Sequence, residues 1–214
     1  MPPPPVDSGD GARPRQGGRP TAGTERLGIL GGTFDPVHVG HLVAAVEARH
    51  QLALDRVLLV VAADPWQKHG RVVAPAADRY ALVETAVDGV DALEPCALEM
   101  EREGPTYTID TVERLRDGAR SLYLVVGADL VAGLPTWHRV DELRRAVTLA
   151  VVGREGEAVA SVPGWDSCTV TMPRLDVSST DLRDRIARGA PFDYLVPTPA
   201  ARILRARALY GWRG

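Results

Sequence analysis

An α/β fold, with a parallel sheet wound by helices on both faces, is predicted by three features of this chain. Short runs rich in Val, Ile and Leu recur along it, as expected for strands buried on both sides. Between them lie segments whose apolar residues return at helical spacing. Glycines and prolines punctuate the junctions. Strands alternating with amphipathic helices build βαβ units, and right-handed crossovers then cover both faces. At 214 residues, one domain of this kind is the expected size.

The elements follow in order. Residues 1–25, dominated by Pro, Gly and Arg, have little to bury and are expected to form a disordered tail, with the folded domain over 26–214. The first strand is expected at 27–30, ended by Gly31 and Gly32, and residues 33–39 form a loop broken by Pro36. From about Gly40 a helix presents Leu42, Val43, Val46, Leu52 and Leu54 to the sheet. A second strand is expected at 56–62, then a polar loop to 75 and a helix over 78–90. The third strand is placed at 93–100, and a helix over 107–115 is opened by Thr106 or Thr108 as its cap. The fourth strand, 121–126, ends at Gly127-Ala128-Asp129, and two short helices fill 130–145. Strands at 147–152 and 167–172 bring the sheet to five or six. Ser178-Ser179-Thr180-Asp181 starts a helix to about Arg188, and a last helix covers 199–209.

Composition narrows the function. A formal net charge of −3 gives no electrostatic case for nucleic acid or an acidic membrane as partner. Lys68 is the only lysine, so its place in the loop after the second strand carries information. Cys96 and Cys168 lie far apart with no metal-ligand spacing, which points to a reducing, cytoplasmic compartment rather than a disulfide. No apolar run is long enough to span a membrane, and the first residues lack the apolar core of a secretory signal. A dehydrogenase reading fails because no G-x-G-x-x-G follows the first strand, and no Walker loop occurs.

The first βα junction carries the chemistry. In a doubly wound sheet every βα loop lies at the C-terminal edge, where ligands bind. Gly31 and Gly32 allow a ligand close to the backbone, and the helix that follows offers N–H groups to phosphate. His38 and His41, three apart across the start of that helix, can turn both rings to one point, with Gly40 leaving room between them. Two imidazoles there suit a phosphate whose charge rises during reaction. Alone, a glycine pair with two histidines would be a weak signal.

The whole string Gly31-Gly32-Thr33-Phe34-Asp35-Pro36-x-His38-x-Gly40-His41 resembles the signature of the nucleotidyltransferases that carry H-x-G-H. Ser178-Ser179-Thr180-x-x-Arg183 resembles their second motif, and Gly127-Ala128-Asp129 their G-[AS]-D. Gly104-Pro105-Thr106-Tyr107-Thr108-x-Asp110-Thr111 and Leu134-Pro135-Thr136-Trp137-His138 look like segments of the bacterial nicotinate mononucleotide adenylyltransferases. The resemblance runs from Leu27 almost to Gly214 and implies a Rossmann-like single domain. Two departures stand out: Gln67 replaces the usual histidine before Lys68, and Val140 stands where relatives often have a second aromatic residue.

The resemblance implies transfer of the adenylyl group of ATP to nicotinate mononucleotide, giving deamido-NAD and pyrophosphate for NAD biosynthesis. On this basis His38, His41, Lys68 and Arg183 are the catalytic candidates. Gly31, Gly32, Thr33, Phe34, Gly127, Asp129, Ser178, Ser179 and Thr180 join His38, His41 and Arg183 around ATP. Thr33, Lys68, Thr106, Tyr107, Thr108 and Trp137 are assigned to the mononucleotide, with the indole stacked on the pyridine ring and the backbone at Tyr107-Thr108 on its carboxylate. Trp66 is placed beside them as a residue that helps bury the site. Mg2+ is expected on the nucleotide phosphates rather than on protein side chains. Alternatives are a nicotinamide-mononucleotide or pantetheine-phosphate adenylyltransferase, or a non-catalytic nucleotide sensor. Oligomeric state is not legible in the sequence.

Overall fold

The computed structural model describes residues 24–64, 73–102, 104–154 and 161–214. Six parallel strands form one sheet: β1 (Glu25–Gly32), β2 (Arg56–Val61), β3 (Leu93–Cys96), β4 (Arg120–Gly127), β5 (Thr148–Arg154) and β6 (Ser167–Met172). Their order is β3-β2-β1-β4-β5-β6, so the sheet is built outwards in both directions from the β1–β4 pair. Helices α1 (Val39–Gln51), α2 (Ala76–Val87), α3 (Thr108–Leu115), α4 (Val140–Ala146), α5 (Ser179–Ala187) and α6 (Thr198–Ala206) cover it.

Strand alternation divides the core into two layers. On β2, Val57, Leu59 and Val61 face one layer, while Leu58 and Val60 face the other. The first layer is closed by Ala45 and Ala48 of α1, Leu82 and Val83 of α2, Leu182 of α5 and Leu204 of α6. The second is closed by Ile109 and Val112 of α3 and Leu143 of α4. Both faces of the sheet are therefore covered, and the doubly wound α/β expectation is met.

Several boundaries differ from those read in the sequence. β1 begins at Glu25, inside the expected tail, because Glu25 accepts hydrogen bonds from Arg56 and Arg120, both at 2.6 Å. At its other end, Gly31 and Gly32 continue the ladder opposite Val60 and Val61 instead of ending it. β3 stops at Cys96 and a 3₁₀ turn occupies Leu98–Glu101, where a longer strand was expected. The α3 cap is Tyr107, with no side-chain cap bond, rather than either threonine. The remaining tail residues, 1–23, lie outside the described residues. No described helix is long and apolar enough to cross a membrane.

Candidate functional site

The site lies at the C-terminal edge of the sheet, where β1 and β4 run side by side and their crossovers depart in opposite directions. β1 leads into residues 33–38, and the chain turns there on Phe34, whose φ is +49°. That left-handed conformation is strained for a bulky residue. It is held by packing: the Phe34 ring is 1% exposed and lies over Gly32, where a Cβ would come within 2.8 Å of it. The packing of Phe34 thus requires glycine at 32. With its ring in the core, Phe34 can offer an incoming nucleotide only its backbone.

His38 caps α1 in an extended conformation and is 7% exposed. Its backbone N–H donates to His41 Nδ1 at 3.2 Å, which makes that nitrogen an acceptor and puts the His41 proton on Nε2. The two rings stack, with centroids 3.7 Å apart and planes 25° from parallel, and Phe34 abuts His41 edge-on. Burial lowers the His38 pKa to about 4, so this ring is neutral at physiological pH. Its Nδ1 is buried with no partner among the described residues. A Cβ on Gly40 would lie 3.0 Å from that nitrogen and 3.2 Å from Val177 Cγ1, so glycine at 40 gives the imidazole its room.

The start of α1 is less open than the sequence suggests. The Leu195 carbonyl accepts from Val39 N–H at 2.9 Å, and the N–H groups of His41 and Leu42 turn back to the His38 carbonyl. Gly40 N–H is the first-turn donor without a protein partner among the described residues. The imidazoles, rather than a row of bare amides, form the polar face here.

The second motif is stitched to the first. Ser179 Oγ donates to the Pro36 carbonyl at 2.9 Å, and Arg183 Nη1 donates to the Asp35 carbonyl at 2.7 Å. Arg183 also reaches Thr180 Oγ1 at 3.3 Å and lies 3.8 Å from the Asp35 carboxylate. Ser178 is the N-cap of α5, its hydroxyl accepting from Asp181 N–H at 3.1 Å. Residues almost 150 positions apart thus meet at one loop. The side chains of Ser178, Ser179 and Thr180 are all engaged in this framework, and so is Arg183 in part.

Across the β1–β4 crevice, Gly127 ends β4, and a Cβ there would lie 2.5 Å from Asp129 Oδ1, so the carboxylate folds back over the glycine. The segments matched to the mononucleotide also come together. Tyr107 and His138 lie with ring centroids 4.3 Å apart, and Tyr107 and Trp137 pack on one apolar layer. Thr106 donates both its N–H and its hydroxyl to the Asp64 carbonyl, at 3.3 and 3.4 Å, tying the start of α3 to the segment after β2. Lys68, with Trp66 and Gln67, lies outside the described residues.

Sequence reasoning missed four contributors. Asp35, 3% exposed, accepts from Val73 and Ala74 N–H at 2.9 and 3.1 Å, linking the loop after β1 to the stretch before α2. Arg79 is buried beneath both and bonded to main-chain carbonyls around them. Tyr210, held in a left-handed turn after α6, has a buried hydroxyl whose pKa is raised by burial and then by the Asp35 carboxylate. Arg139 pairs with Asp110 at 3.6 Å and with Glu142 at 2.7 Å, fixing the residues beside Trp137 against α3. Arg79, in helical spacing with Leu82 and Val83, offered the one legible signal: a charge on the apolar face of its helix.

The Cytidylyltransferase-like family model matches residues 29–185. A protein of Saccharopolyspora erythraea named "Probable nicotinate-nucleotide adenylyltransferase" is 40% identical over 189 residues, covering 86% of this chain and 89% of its own length. One of the same name from Corynebacterium kroppenstedtii is 40% identical over 191 residues, covering 86% and 90%. The fold is similar to that of Plasmodium falciparum nicotinic acid mononucleotide adenylyltransferase complexed with NaAD, with a TM-score of 0.72 at 14% identity over 88% of this chain and 98% of that one.

Proposed function

The chain belongs to the cytidylyltransferase-like family, among its nicotinate-nucleotide adenylyltransferases, and from that premise we propose how it transfers the adenylyl group. It is a nucleotidyltransferase that joins ATP and nicotinate mononucleotide to give nicotinate adenine dinucleotide and pyrophosphate, a step of NAD biosynthesis. The single observation that carries the site assignment is the stacked His38–His41 pair beside Gly40, with a buried His38 Nδ1 that no described protein group satisfies.

No covalent nucleophile is required. The mononucleotide phosphate attacks the α-phosphorus of ATP, the bond to the β-phosphate oxygen breaks, and pyrophosphate leaves with that electron pair. Catalysis is then positioning and charge stabilisation. Two adjacent imidazoliums would repel at 3.7 Å, and burial of His38 avoids this by keeping one ring neutral. His41, with Nδ1 engaged by the His38 backbone, donates from Nε2 to an α-phosphate oxygen. In this reading His38 holds the ATP phosphates, Arg183 and Lys68 hold the departing pyrophosphate, and the backbone at Gly31, Gly32, Thr33 and Phe34 frames the α-phosphate. Asp129 takes a ribose hydroxyl. Trp137 supplies the platform for the pyridine ring, and the backbone at Tyr107 and Thr108 selects the carboxylate. The chain is assigned to the cytoplasm.

Among the described residues no three His, Cys, Asp or Glu side chains converge as a metal site. Mg2+ enters this reading as part of the MgATP substrate, held mainly through the nucleotide phosphates.

The test is pyrophosphate release by the full chain with ATP plus nicotinate mononucleotide, run beside the nicotinamide form and phosphopantetheine. Faster turnover of the acid form is expected; a preference for either other acceptor would overturn the substrate assignment. His41→Ala should lose roughly 100- to 1000-fold in kcat with a smaller change in ATP affinity. Turnover near wild type would remove His41 from the mechanism.

A further inference from the structure

Arg79 sits on α2, 1% exposed, and contributes nothing to the surface of the site. Four of its five N–H groups go to main-chain carbonyls. Nε donates to Ala74 at 3.0 Å, Nη1 to both Thr33 and Ala62 at 2.7 Å, and Nη2 to Ala63 at 3.0 Å. These four carbonyls belong to three stretches of backbone that matter to the site. Thr33 opens the phosphate loop, Ala62 and Ala63 lead away from β2, and Ala74 is where the chain returns to α2.

A buried guanidinium is costly unless its hydrogen bonds are met, and apolar residues can stabilise a core without that cost. Burial accordingly lowers the Arg79 pKa, opposed by the Asp35 carboxylate and by Tyr210. What the planar fork offers beyond stability is geometry. It holds several carbonyls in fixed mutual directions, which a flexible ammonium does not. Asp35 binds the same region from the other side, through Val73 and Ala74 N–H. Cation and carboxylate together tie the phosphate loop to both ends of the 63–74 stretch.

We propose that Arg79 is a positioning residue for adenylyl transfer, bracing Thr33 against both ends of the 63–74 stretch so that the backbone around the reacting phosphate is set before substrates arrive. The inference rests on the proposed activity. Arg79 touches no substrate, so its loss acts through the alignment of groups that do, and a misplacement of about 1 Å can cost on the order of 100-fold in rate.

The experiment compares the full wild-type chain with Arg79→Lys. Its readouts are kcat and KM for pyrophosphate release, the folded fraction by circular dichroism, and the rate of cleavage after Lys68 by endoproteinase Lys-C. Lys68 is the only lysine of the wild-type chain, and residue 79 is buried in α2, so cleavage of the folded protein after Lys68 reports on how firmly its flanks at Ala63 and Ala74 are held. A folded Arg79→Lys is expected to lose about 30-fold or more in kcat, with both KM values within about threefold and cleavage after Lys68 about tenfold faster. A folded variant with kcat near wild type, or activity that falls only in proportion to the folded fraction, overturns the proposal.

Should Arg79→Lys fail to fold, Arg79→Gln is assayed with and without low-millimolar guanidinium, and recovery of kcat on addition upholds the brace, while no recovery overturns it. If neither variant folds, Arg79 is a folding requirement and the positioning assignment falls. A wild-type chain that releases no pyrophosphate with any acceptor breaks the activity reading instead. Lys-C then judges the brace alone, an unchanged cleavage rate in the folded variant overturning it and a faster one upholding it.

Discussion

Acidification is expected to destabilise this protein through His38, and the size of the effect follows from its burial. The imidazole is 7% exposed and its pKa falls from an ordinary 6.5 to about 4. Because the folded-state pKa is the lower one, the unfolded chain binds the extra proton. Stability is therefore complete above pH 6.5 and is lost as the pH falls from 6.5 through 4. Lowering a pKa by one on folding is worth about 1.4 kcal/mol, so the full effect is about 3 kcal/mol and roughly 2 kcal/mol of it is gone by pH 5. For a domain of this size that is a fall in Tm of about 4–8 °C. The assay is thermal unfolding from pH 8 to 4.5 for the wild type and His38→Asn. Asn cannot titrate here, so the variant, though less stable throughout, should show a shallower dependence across this window. Parallel Tm–pH curves for the two proteins would refute the claim that His38 is buried in its neutral form.

Two further outcomes follow from the geometry. Gly40→Ala should lower kcat by about tenfold or more while the protein stays folded, because the new methyl group lands 3.0 Å from His38 Nδ1 and must displace that ring. Steady-state kinetics with a melting curve check this, and unchanged kcat would mean the His38 position is not critical. Trp137→Ala should raise KM for the mononucleotide about tenfold while leaving KM for ATP nearly unchanged, as expected for loss of about 1–2 kcal/mol from a ring platform. Equal effects on the two substrates would place Trp137 in general packing instead.

Much of the architecture was legible because its causes are local. The apolar runs at β2, β4 and β5 can be stable only as buried strands, and their alternation with helical spacing leaves few topologies open. The glycine loop and the H-x-G-H spacing were readable for the same reason: three residues set how two imidazoles can meet. What could not be read depended on partners distant in the chain. Glu25 looked like part of a solvated tail, yet two arginines, 31 and 95 positions away, draw it into β1. Thr106 looked like a cap for α3, and instead its N–H and hydroxyl both go to the distant Asp64 carbonyl. Phe34 sat in the middle of a ligand motif, and packing sent its ring inward.

Residue order alone thus determined where most strands and helices form, that helices cover both faces of one sheet, and that the loops after β1 and β4 and the start of α5 gather at its C-terminal edge. Periodicity and short-range stereochemistry are enough for these. Tertiary structure decided which motif side chains face outward and which are spent on the framework, that Leu195 closes the α1 amide expected for phosphate, and that Arg79 braces the loops from below. Those outcomes depend on hydrogen bonds between groups brought together only by the completed fold, and no local pattern encodes the partner of a buried donor.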